Sequence, residues 1–252
     1  MHDDDAQVGR VLSRREVLAS LGMAGVALAL PKAVLDAGLA RPIRLPGGTL
    51  LPACVVRPAQ MEGPYFVDTK LDRPDIRSEP GDGAVKPGVP LRLAFQVSRL
   101  DGATCAPLAG ALVDIWQCDG VGIYSGVKDI NGMFDTSGQQ FLRGHQVTDR
   151  EGRVEFRTIY PGWYEGRTAH IHFKIRTDPG ATRGTEFTSQ IYFDDAISDR
   201  VYAQAPYAAN KQRRVRNAGD GIFRDGGAQL LLPLTAEGEG YGGRFEIGLQ
   251  MA

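Results

Sequence analysis

Seven short runs of apolar or alternating residues, separated by turn-forming residues, constrain the fold of this chain more than any other feature. A period of two is typical of β-strands, because successive side chains of a strand point to opposite faces. The turn-formers fit the composition, which includes 32 Gly and 15 Pro. The pattern predicts an all-β protein, an antiparallel β-sandwich with long loops. The predicted strands are 91–97, 111–116, 153–158, 170–175, 187–193, 229–234 and 244–249, and one short helix is predicted at 199–207.

The first 40 residues differ from the rest of the chain and predict an export signal. Arg14 and Arg15 precede an apolar run of about 13 residues, which is too short to cross a membrane as a helix. Small residues follow at 37–40. This pattern resembles a twin-arginine signal peptide, so we expect a periplasmic or secreted protein. An amphipathic helix that stays in the mature protein is the alternative.

Prolines recur throughout residues 41–89 and exclude a long helix there, because proline lacks the backbone N–H that a helix interior needs. This segment is predicted to be an extended N-terminal arm. Residues 90–252 contain all seven predicted strands and form the predicted β-sandwich domain. The sequence therefore divides into a signal, an arm and one sandwich.

The charge balance narrows the class of partner. The chain has 29 Lys and Arg against 30 Asp and Glu, a formal net charge of −1. Such a balance gives no long-range attraction to nucleic acid or to anionic lipid. We expect a small-molecule partner, no nucleic acid and no membrane span.

Three cysteines leave the disulfide pairing open. Cys105 and Cys118 flank a predicted strand, which would hold them too far apart for a bridge. Cys54 could pair with either one in an oxidising compartment, and buried free thiols are the alternative.

Two histidines two residues apart, His170 and His172, lie in a predicted strand. Their side chains should point to the same face, close enough to hold one metal ion. A solvated strand face is the alternative. His145 is predicted to lie in a loop, exposed to solvent, with no part in a metal site.

Two tyrosines fall near this pair. Tyr164 precedes His170 by six residues, and Tyr124 follows a predicted strand in a glycine-rich loop. A phenolate is a hard anionic oxygen donor, and a trivalent ion can deprotonate a phenol whose ordinary pKa is about 10. Two histidines and two tyrosines therefore suggest Fe(III). Packing at strand ends is the alternative role for either tyrosine, and Tyr160 competes with Tyr164 for the role of ligand.

Six sequence blocks in order resemble the intradiol ring-cleavage dioxygenases, non-haem ferric enzymes that open catechols between their two hydroxyls. The resemblance extends from about Glu62 to the C-terminus. The blocks are Glu62-Gly63-Pro64-Tyr65-Phe66, Arg73-Pro74-Asp75-Ile76-Arg77, Val113-Asp114-Ile115-Trp116-Gln117 with Gly122-Ile123-Tyr124, Phe156-Arg157-Thr158-Ile159-Tyr160-Pro161-Gly162-Trp163-Tyr164, Arg167-Thr168-Ala169-His170-Ile171-His172-Phe173, and Ser189-Gln190-Ile191-Tyr192-Phe193.

The resemblance implies an oxidoreductase of aromatic-compound catabolism whose Fe(III) is held by Tyr124, Tyr164, His170 and His172. It implies that a catechol and O2 are the substrates and that a cis,cis-muconate is the product. Tyr164 is also implied to take a proton from the bound catechol. The family pattern places its second tyrosine ligand three residues after Pro161, which selects Tyr164 over Tyr160.

Three further residues receive roles from the resemblance. Arg167 is implied to lie near the bound ring, Gln190 to support the site, and Tyr65 to contact the substrate. Each has a structural alternative. Arg167 could instead form a surface ion pair with Glu165 or Asp194, Gln190 could be an ordinary strand amide, and Tyr65 could pack at a turn.

The sequence departs from the family pattern in two places. The family has a longer segment than Glu165-Gly166 between its second tyrosine and its arginine, so we expect a more open site here. The helical dimerisation region of catechol-cleaving members is not matched, which leaves the oligomeric state open.

Two other functions are considered for the chain. One is an exported, metal-free β-sandwich binding protein. The other, a cupin-like metal enzyme, is disfavoured because no histidine follows His172.

Overall fold

Two β-sheets packed face to face form the body of the protein. The computed structural model describes the backbone at 43–44 and 50–51, and then residues 54–129, 131–177 and 185–250. The predicted export signal lies outside the described residues. At the edge of the predicted arm, two short strands, β1 (Ile43–Arg44) and β2 (Leu50–Leu51), pair with each other in antiparallel orientation.

The first large sheet contains both the start and the end of the sandwich. Its central strand, β3, pairs with β7 along its first half, with β4 along its second half, and with β11 along its other edge. The β3–β11 pair is parallel, whereas the sequence predicted antiparallel sheets. The strands are β3 (Pro90–Asp101), β4 (Thr104–Pro107), β7 (Arg153–Ile159), β10 (Leu234–Glu237) and β11 (Gly240–Gln250).

The second sheet carries the candidate site. It is antiparallel throughout, in the order β6-β5-β8-β9. β8 is buried along nearly its whole length, which is typical of a strand covered on both faces. The strands are β5 (Leu112–Trp116), β6 (Arg143–Val147), β8 (His170–Arg176) and β9 (Glu186–Tyr192).

Apolar and polar side chains alternate along β8, because one face of the strand packs in the core between the sheets. Ile171, Phe173 and Ile175 point inward and pack in the main hydrophobic cluster with side chains such as Phe95 and Phe245. His170, His172 and Lys174 therefore point to the opposite face. A second, smaller cluster covers that face and contains Tyr65, Trp116, Cys118 and Tyr124. The two histidines thus lie outside the sandwich core, beneath this second cluster.

Helices are few among the described residues. The predicted helix at 199–207 is displaced, because Asp194 accepts hydrogen bonds from the N–H groups of Ala196 and Ile197 and begins the helix earlier. The helices are α1 (Asp195–Tyr202) and α2 (Gly221–Arg224), with single 3-10 turns at Tyr207–Ala209, Asn217–Gly219 and Gly227–Leu230.

One predicted strand is wrong, and neither the short pair β1 and β2 nor the sheet strands β4 and β6 were predicted. Residues 229–234 begin in a 3-10 turn that follows Gly226 at φ 82°, and Pro233 has no N–H to offer to a ladder. The strand starts only at Leu234. β4 and β6 were missed because neither shows an apolar alternation. His145, predicted to lie in an exposed loop, is half-buried in β6.

The described part of the arm, residues 54–89, has no helix and lies against the sandwich. Isolated bridges join Asp72 to His145 and Asp75 to Arg157. A disulfide joins Cys54 to Cys105, and Cys118 is a buried free thiol. Cys105 and Cys118 are therefore not bridged, as predicted, and of the pairings left open the structure shows Cys54–Cys105.

Candidate metal centre

β8 places two imidazoles side by side on the face that points away from the core. The Nε2 atoms of His170 and His172 lie 3.1 Å apart, and both side chains are buried. The ring of His172 stacks on Trp116 at the end of β5, with the ring centres 5.0 Å apart and the planes within 7°. The two imidazoles therefore lie on one face of β8.

The hydrogen bonds define which nitrogen of His170 is available to a ligand. Its Nδ1 lies 2.7 Å from the carbonyl oxygen of Thr168. A carbonyl can only accept, so Nδ1 carries the proton and the neutral ring presents a lone pair at Nε2. Burial lowers the pKa of both imidazoles well below the usual value, which keeps them neutral. The Nε2 atom of His170 is thus available to a cation, and the Nε2 atom of His172 lies beside it.

Tyr124 supplies a third donor atom from the loop that follows β5. Its Oη lies 3.4 Å from Nε2 of His170, and the side chain is fully buried. Asp119 holds the start of this loop by accepting hydrogen bonds from the N–H groups of Val121 and Ile123. Thr136 donates to the carbonyl of Tyr124 at 2.7 Å. The tyrosine is therefore fixed in the loop before any ligand arrives.

Arg143 also holds the Tyr124 loop in place. The sequence analysis did not predict a role for this residue. This buried residue of β6 donates from Nε to Oγ of Ser125 at 2.9 Å, from Nη2 to the carbonyl of Ser125, and from Nη1 to the carbonyl of Tyr65 at 3.2 Å. One guanidinium thus joins the Tyr124 loop to the segment that carries Tyr65. No sequence signal marked it, because nothing in β6 alternates.

Tyr164 lies beside His170 and Tyr124 and is half-buried. Its ring centre lies 5.5 Å from that of His170 and 5.8 Å from that of Tyr124. Burial raises the pKa of both phenols above the ordinary value of 10. Each phenol would therefore stay protonated at neutral pH unless a cation lowered its pKa.

The four donors fit a ferric ion. Two imidazole nitrogens and two phenol rings converge from β8 and two loops. Within 54–129, 131–177 and 185–250, no group of three or more His, Cys, Asp and Glu side chains could hold a metal ion. A metal here would depend on the tyrosines. Hard anionic oxygens beside imidazoles suit Fe(III) better than softer ions.

Arg167 reaches over this cluster, and its counter-ion differs from the one expected. Its Nη1 lies 3.4 Å from both Tyr164 Oη and His170 Nε2, while its Nε donates to Asp220 at 2.8 Å. The alternative of a surface ion pair with Glu165 or Asp194 is wrong, because Asp220 is the partner and is fully buried. Asp220 was missed, although an Asp-Gly pair before Ile222 is a typical helix start.

Gln190 and Tyr192 on β9 continue the hydrogen-bond network. Gln190 accepts from Arg167 and from Tyr192 Oη at 3.0 Å, and its amide donates to the carbonyl of Met61 at 3.0 Å. The Tyr192 hydroxyl can instead donate its single proton to Oε1 of Gln60, which lies 2.8 Å away. The network links Arg167 to the segment that precedes Tyr65.

Tyr65 lies above Tyr124 at the base of a cavity of about 480 Å³. The two rings stack with centres 4.6 Å apart, and Tyr65 Oη donates to Asp129 at 2.6 Å. Gly63 adopts φ 74° and passes so close to the site that a Cβ there would lie 3.3 Å from His172. Tyr164 and Arg167 line the same cavity. A small ring in this cavity would therefore meet Tyr164 and Arg167.

Tyr160 and His145 lie elsewhere. Tyr160 is buried in the core, where its hydroxyl hydrogen bonds to Ser198 at 2.7 Å. His145 lies in β6 and pairs with Asp114 in register, away from the donor cluster. Of the two candidate tyrosines around Pro161, only Tyr164 therefore faces the histidines.

The chain is similar in sequence to proteins of known family. A family model described as Dioxygenase matches residues 61–219. A chlorocatechol 1,2-dioxygenase of Pseudomonas sp. (strain P51) is 31% identical over 157 residues, which are 55% of this chain and 55% of that protein. This chain thus spans about half the length of that curated relative.

Two solved structures share the fold over most of their length. An intradiol ring-cleavage dioxygenase from Tetranychus urticae is 32% identical with a TM-score of 0.64, over 78% of this chain and 94% of that chain. The dioxygenase domain of a dioxygenase carbohydrate-binding protein fusion from Streptomyces sp. SirexAA-E is 31% identical with a TM-score of 0.53, over 78% and 99%. Since the family model covers more than half of the sequence, this chain belongs to the intradiol ring-cleavage dioxygenases.

Proposed function

We propose that the protein is an Fe(III) dioxygenase that cleaves a catechol-type ring between its two hydroxylated carbons with O2 and gives a cis,cis-muconate. The observation that carries the proposal is the convergence of Tyr124, Tyr164, His170 and His172 at one buried point. Both atoms of O2 enter the product, so no further reductant is required. Family membership supports the reaction type.

Fe(III) bound by these four residues would act as a Lewis acid that polarises the bound diol and makes the ring reactive towards O2. Tyr124, stacked under Tyr65 and fully buried, is suited to remain a fixed ligand. Tyr164 is half-buried and lines the cavity. Its Oη is therefore placed to take a proton from one catechol hydroxyl as the substrate enters.

Arg167 is the residue suited to stabilise negative charge that develops on the ring. Its guanidinium lines the cavity and lies 3.4 Å from Tyr164 Oη. Asp220 and Gln190 accept hydrogen bonds from Arg167 and fix its position. The guanidinium therefore needs no rearrangement when negative charge develops on the ring. Gln190 thus supports the site through Arg167.

The open site supports substituted catechols as substrates. Only Glu165 and Gly166 separate Tyr164 from Arg167, and both are exposed. A cavity of about 480 Å³ has room for a ring with substituents. We expect turnover of 3- and 4-substituted catechols, and turnover confined to unsubstituted catechol would contradict this part.

Export by the twin-arginine route remains part of the proposal, supported by Arg14, Arg15 and the apolar run that follows them. No helix within the described residues is long and apolar enough to cross a membrane. N-terminal sequencing of the protein recovered from the periplasm or medium tests the proposal. A start near residue 41 supports it, and an intact N-terminus in the cytoplasm contradicts it.

Oxygen uptake with product analysis tests the activity. The iron-loaded protein is given catechol and isotopically labelled O2, and the product is identified by mass and ultraviolet spectrum. We expect a cis,cis-muconate with both labelled oxygen atoms. No oxygen consumption with any catechol, in a protein that contains iron, would favour a binding protein instead.

A further inference from the structure

Two exposed methionines line the cavity that leads to the donor cluster. Met61 is 40% exposed and Met133 is 59% exposed. Within 54–129, 131–177 and 185–250, four large hydrophobic side chains are exposed, and the other two are Val85 and Val147. Single exposed apolar residues are normal on a protein surface, whereas apolar residues gathered around one opening mark a binding surface. The two methionines therefore call for a ligand.

Three more apolar side chains line the same cavity. Phe134 is half-buried, and its ring centre lies 6.3 Å from that of Tyr65. Ile222 is half-buried and Pro64 is exposed. We call these five lining residues the apolar rim: Met61, Pro64, Met133, Phe134 and Ile222. The rim thus offers thioether, aromatic and aliphatic surface next to the tyrosine that stacks on Tyr124.

Hydrogen bonds to the backbone hold the apolar rim in place. Gln190 donates to the carbonyl of Met61 at 3.0 Å. Gln60 donates to the carbonyl of Ile222 at 2.9 Å, and the N–H of Ile222 donates to Asp220 at 2.8 Å. Gln190 and Asp220 are also the residues that fix the guanidinium of the site. The rim is therefore anchored to the site itself, and a change of its side chains leaves these bonds intact.

Polar residues that line the cavity are bonded within the protein or exposed to water. Gln212 accepts from the N–H of Glu165 at 2.9 Å and donates to the carbonyl of Val121 at 3.3 Å. The side chains of Glu165 and Asn131 lie at exposed positions, where water can hydrate them. An apolar group in the cavity would therefore contact the rim without breaking the bonds of these polar groups.

The chemistry of the ring decides which substituent reaches the rim. When both hydroxyls of a catechol bind at the donor cluster, ring carbon 3 stays beside them, whereas carbons 4 and 5 point away from the metal. Tyr164 and Arg167 belong both to the site and to the cavity lining, so the bound ring continues into the cavity. A substituent on carbon 4 would therefore extend towards the exposed mouth.

We propose that the apolar rim selects catechols that carry an apolar chain of several carbons on ring carbon 4. This inference rests on the proposed function and adds the kind of substituent and its position. Burial of the chain against the rim favours binding, because apolar surface leaves water. Methionine suits this role, since its unbranched thioether side chain adapts to chains of different shape.

Two matched compounds test the proposal. 4-Butylcatechol and 4-(2-methoxyethyl)catechol carry chains of the same length and nearly the same shape, but an ether oxygen replaces one methylene in the second. Dissociation constants are measured by calorimetry without O2 on the iron-loaded protein, and kcat/KM is measured with O2. We expect the wild-type protein to bind the butyl compound about tenfold more tightly, because the ether oxygen loses water against an apolar surface.

Single variants assign the preference to its source. Met61→Gln and Met133→Gln keep the length and the unbranched shape of the side chain, while an amide that can hydrogen bond to the ether replaces the thioether. We expect each to narrow the butyl-to-ether ratio by about threefold. Val85→Thr is the matched control, because Val85 is exposed in the arm and does not line this cavity. It should leave the ratio unchanged.

The outcomes separate this inference from the proposed function. Equal affinity of the wild-type protein for the two compounds overturns the inference, even if catechol is cleaved. A ratio that stays at the wild-type value in both methionine variants, or that narrows equally in Val85→Thr, also overturns it. If one methionine variant does not fold, the other decides, since the two residues lie in separate segments. Failure to cleave any catechol contradicts the proposed function, whereas the anaerobic binding ratio still tests the rim.

Discussion

Arg167 is largely buried together with the carboxylate that it pairs with. Its side chain is 12% exposed and its partner Asp220 is 0% exposed. A buried guanidinium is tolerable only with its charge matched and its N–H groups bonded, and Asp220, Gln190 and Tyr164 meet those needs. This costly burial supports the role proposed for Arg167 beside the catechol ring.

Replacement of Arg167 should therefore affect turnover more than metal binding. In Arg167→Met we expect kcat for catechol to fall by about 10²- to 10³-fold, because a fixed cation near the developing charge is lost. Iron per chain should stay at the wild-type level, since Arg167 is not a ligand. Steady-state oxygen uptake and metal analysis on one preparation check both.

Arg244→Met provides the matched control, because Arg244 is exposed on β11 and pairs only with surface groups. It should behave as wild type. A loss of iron in Arg167→Met equal to its loss of turnover would show that the arginine holds the metal site together instead.

Single residues of the site were predictable where chemistry and spacing coincided. His170 and His172 were predicted from strand alternation, and family motifs selected Tyr124 and Tyr164. Asp220 and Arg143 were not predicted, because each acts from an element distant in sequence. A buried charge finds its partner through the fold, and a sequence does not show that partner.

At the scale of elements, one face of β8 packs in the core and the other face carries the histidines of the candidate site. Lys174 continues the outward face after His172 and is 5% exposed. Its Nζ forms 2.7 Å ion pairs with Glu62 and with Glu186, and it lies 4.1 Å over the ring of Phe66. Lys174 therefore holds the segment from Glu62 to Phe66 against the strand that carries the histidines.

Removing this charge should loosen that segment. In Lys174→Met we expect the free energy of unfolding to fall by about 1–2 kcal/mol, because two partly exposed carboxylates lose their partner but can be hydrated. The KM for catechol should rise several-fold, since Tyr65 lies in the segment. Denaturant unfolding and oxygen uptake measure the two effects.

Arg92→Met is the control on the other sheet. Arg92 also pairs with two carboxylates, Glu155 and Glu237, but its side chain is 43% exposed. In Arg92→Met we expect the free energy of unfolding to fall by less than about 1 kcal/mol and the KM for catechol to stay unchanged. An equal loss of stability in the two variants would mean that burial of Lys174 adds nothing.

Elements were predictable where apolar alternation was strong. β3, β5, β7, β8, β9 and β11 were predicted within a few residues, because each turns one face to the core. β6 lacks that pattern, since Arg143 is buried through hydrogen bonds rather than by hydrophobicity. The strand predicted at 229–234 failed because apolar content there reflects packing of a 3-10 turn and not a ladder.

At the scale of the whole molecule, two long-range connections close the fold. β3 and β11 pair in parallel over ten residue pairs, which joins the start of the sandwich to its end. The Cys54–Cys105 disulfide, at a sequence separation of 51, attaches the arm to β4. Sequence patterns gave neither connection, because both depend on which distant segments meet.

Reduction of the disulfide should destabilise the protein markedly. A loop of this length constrains the unfolded chain by about 3–4 kcal/mol. We expect the midpoint of thermal unfolding to fall on the order of 10 °C in reductant. The Cys54→Ser, Cys105→Ser double variant should show the lower midpoint with or without reductant, as followed by circular dichroism. A wild-type midpoint that does not respond to reductant would contradict a stabilising bridge.

The visible spectrum of the iron-loaded protein tests the central claim most directly. Phenolate bound to Fe(III) gives a charge-transfer band, so we predict a burgundy protein with one iron per chain. Tyr124→Phe and Tyr164→Phe should each shift or lose the band, while Tyr160→Phe, which removes a buried hydroxyl far from the site, should keep it. A colourless protein with iron bound, native zinc in its place, or a band unaltered in both ligand variants would contradict the account.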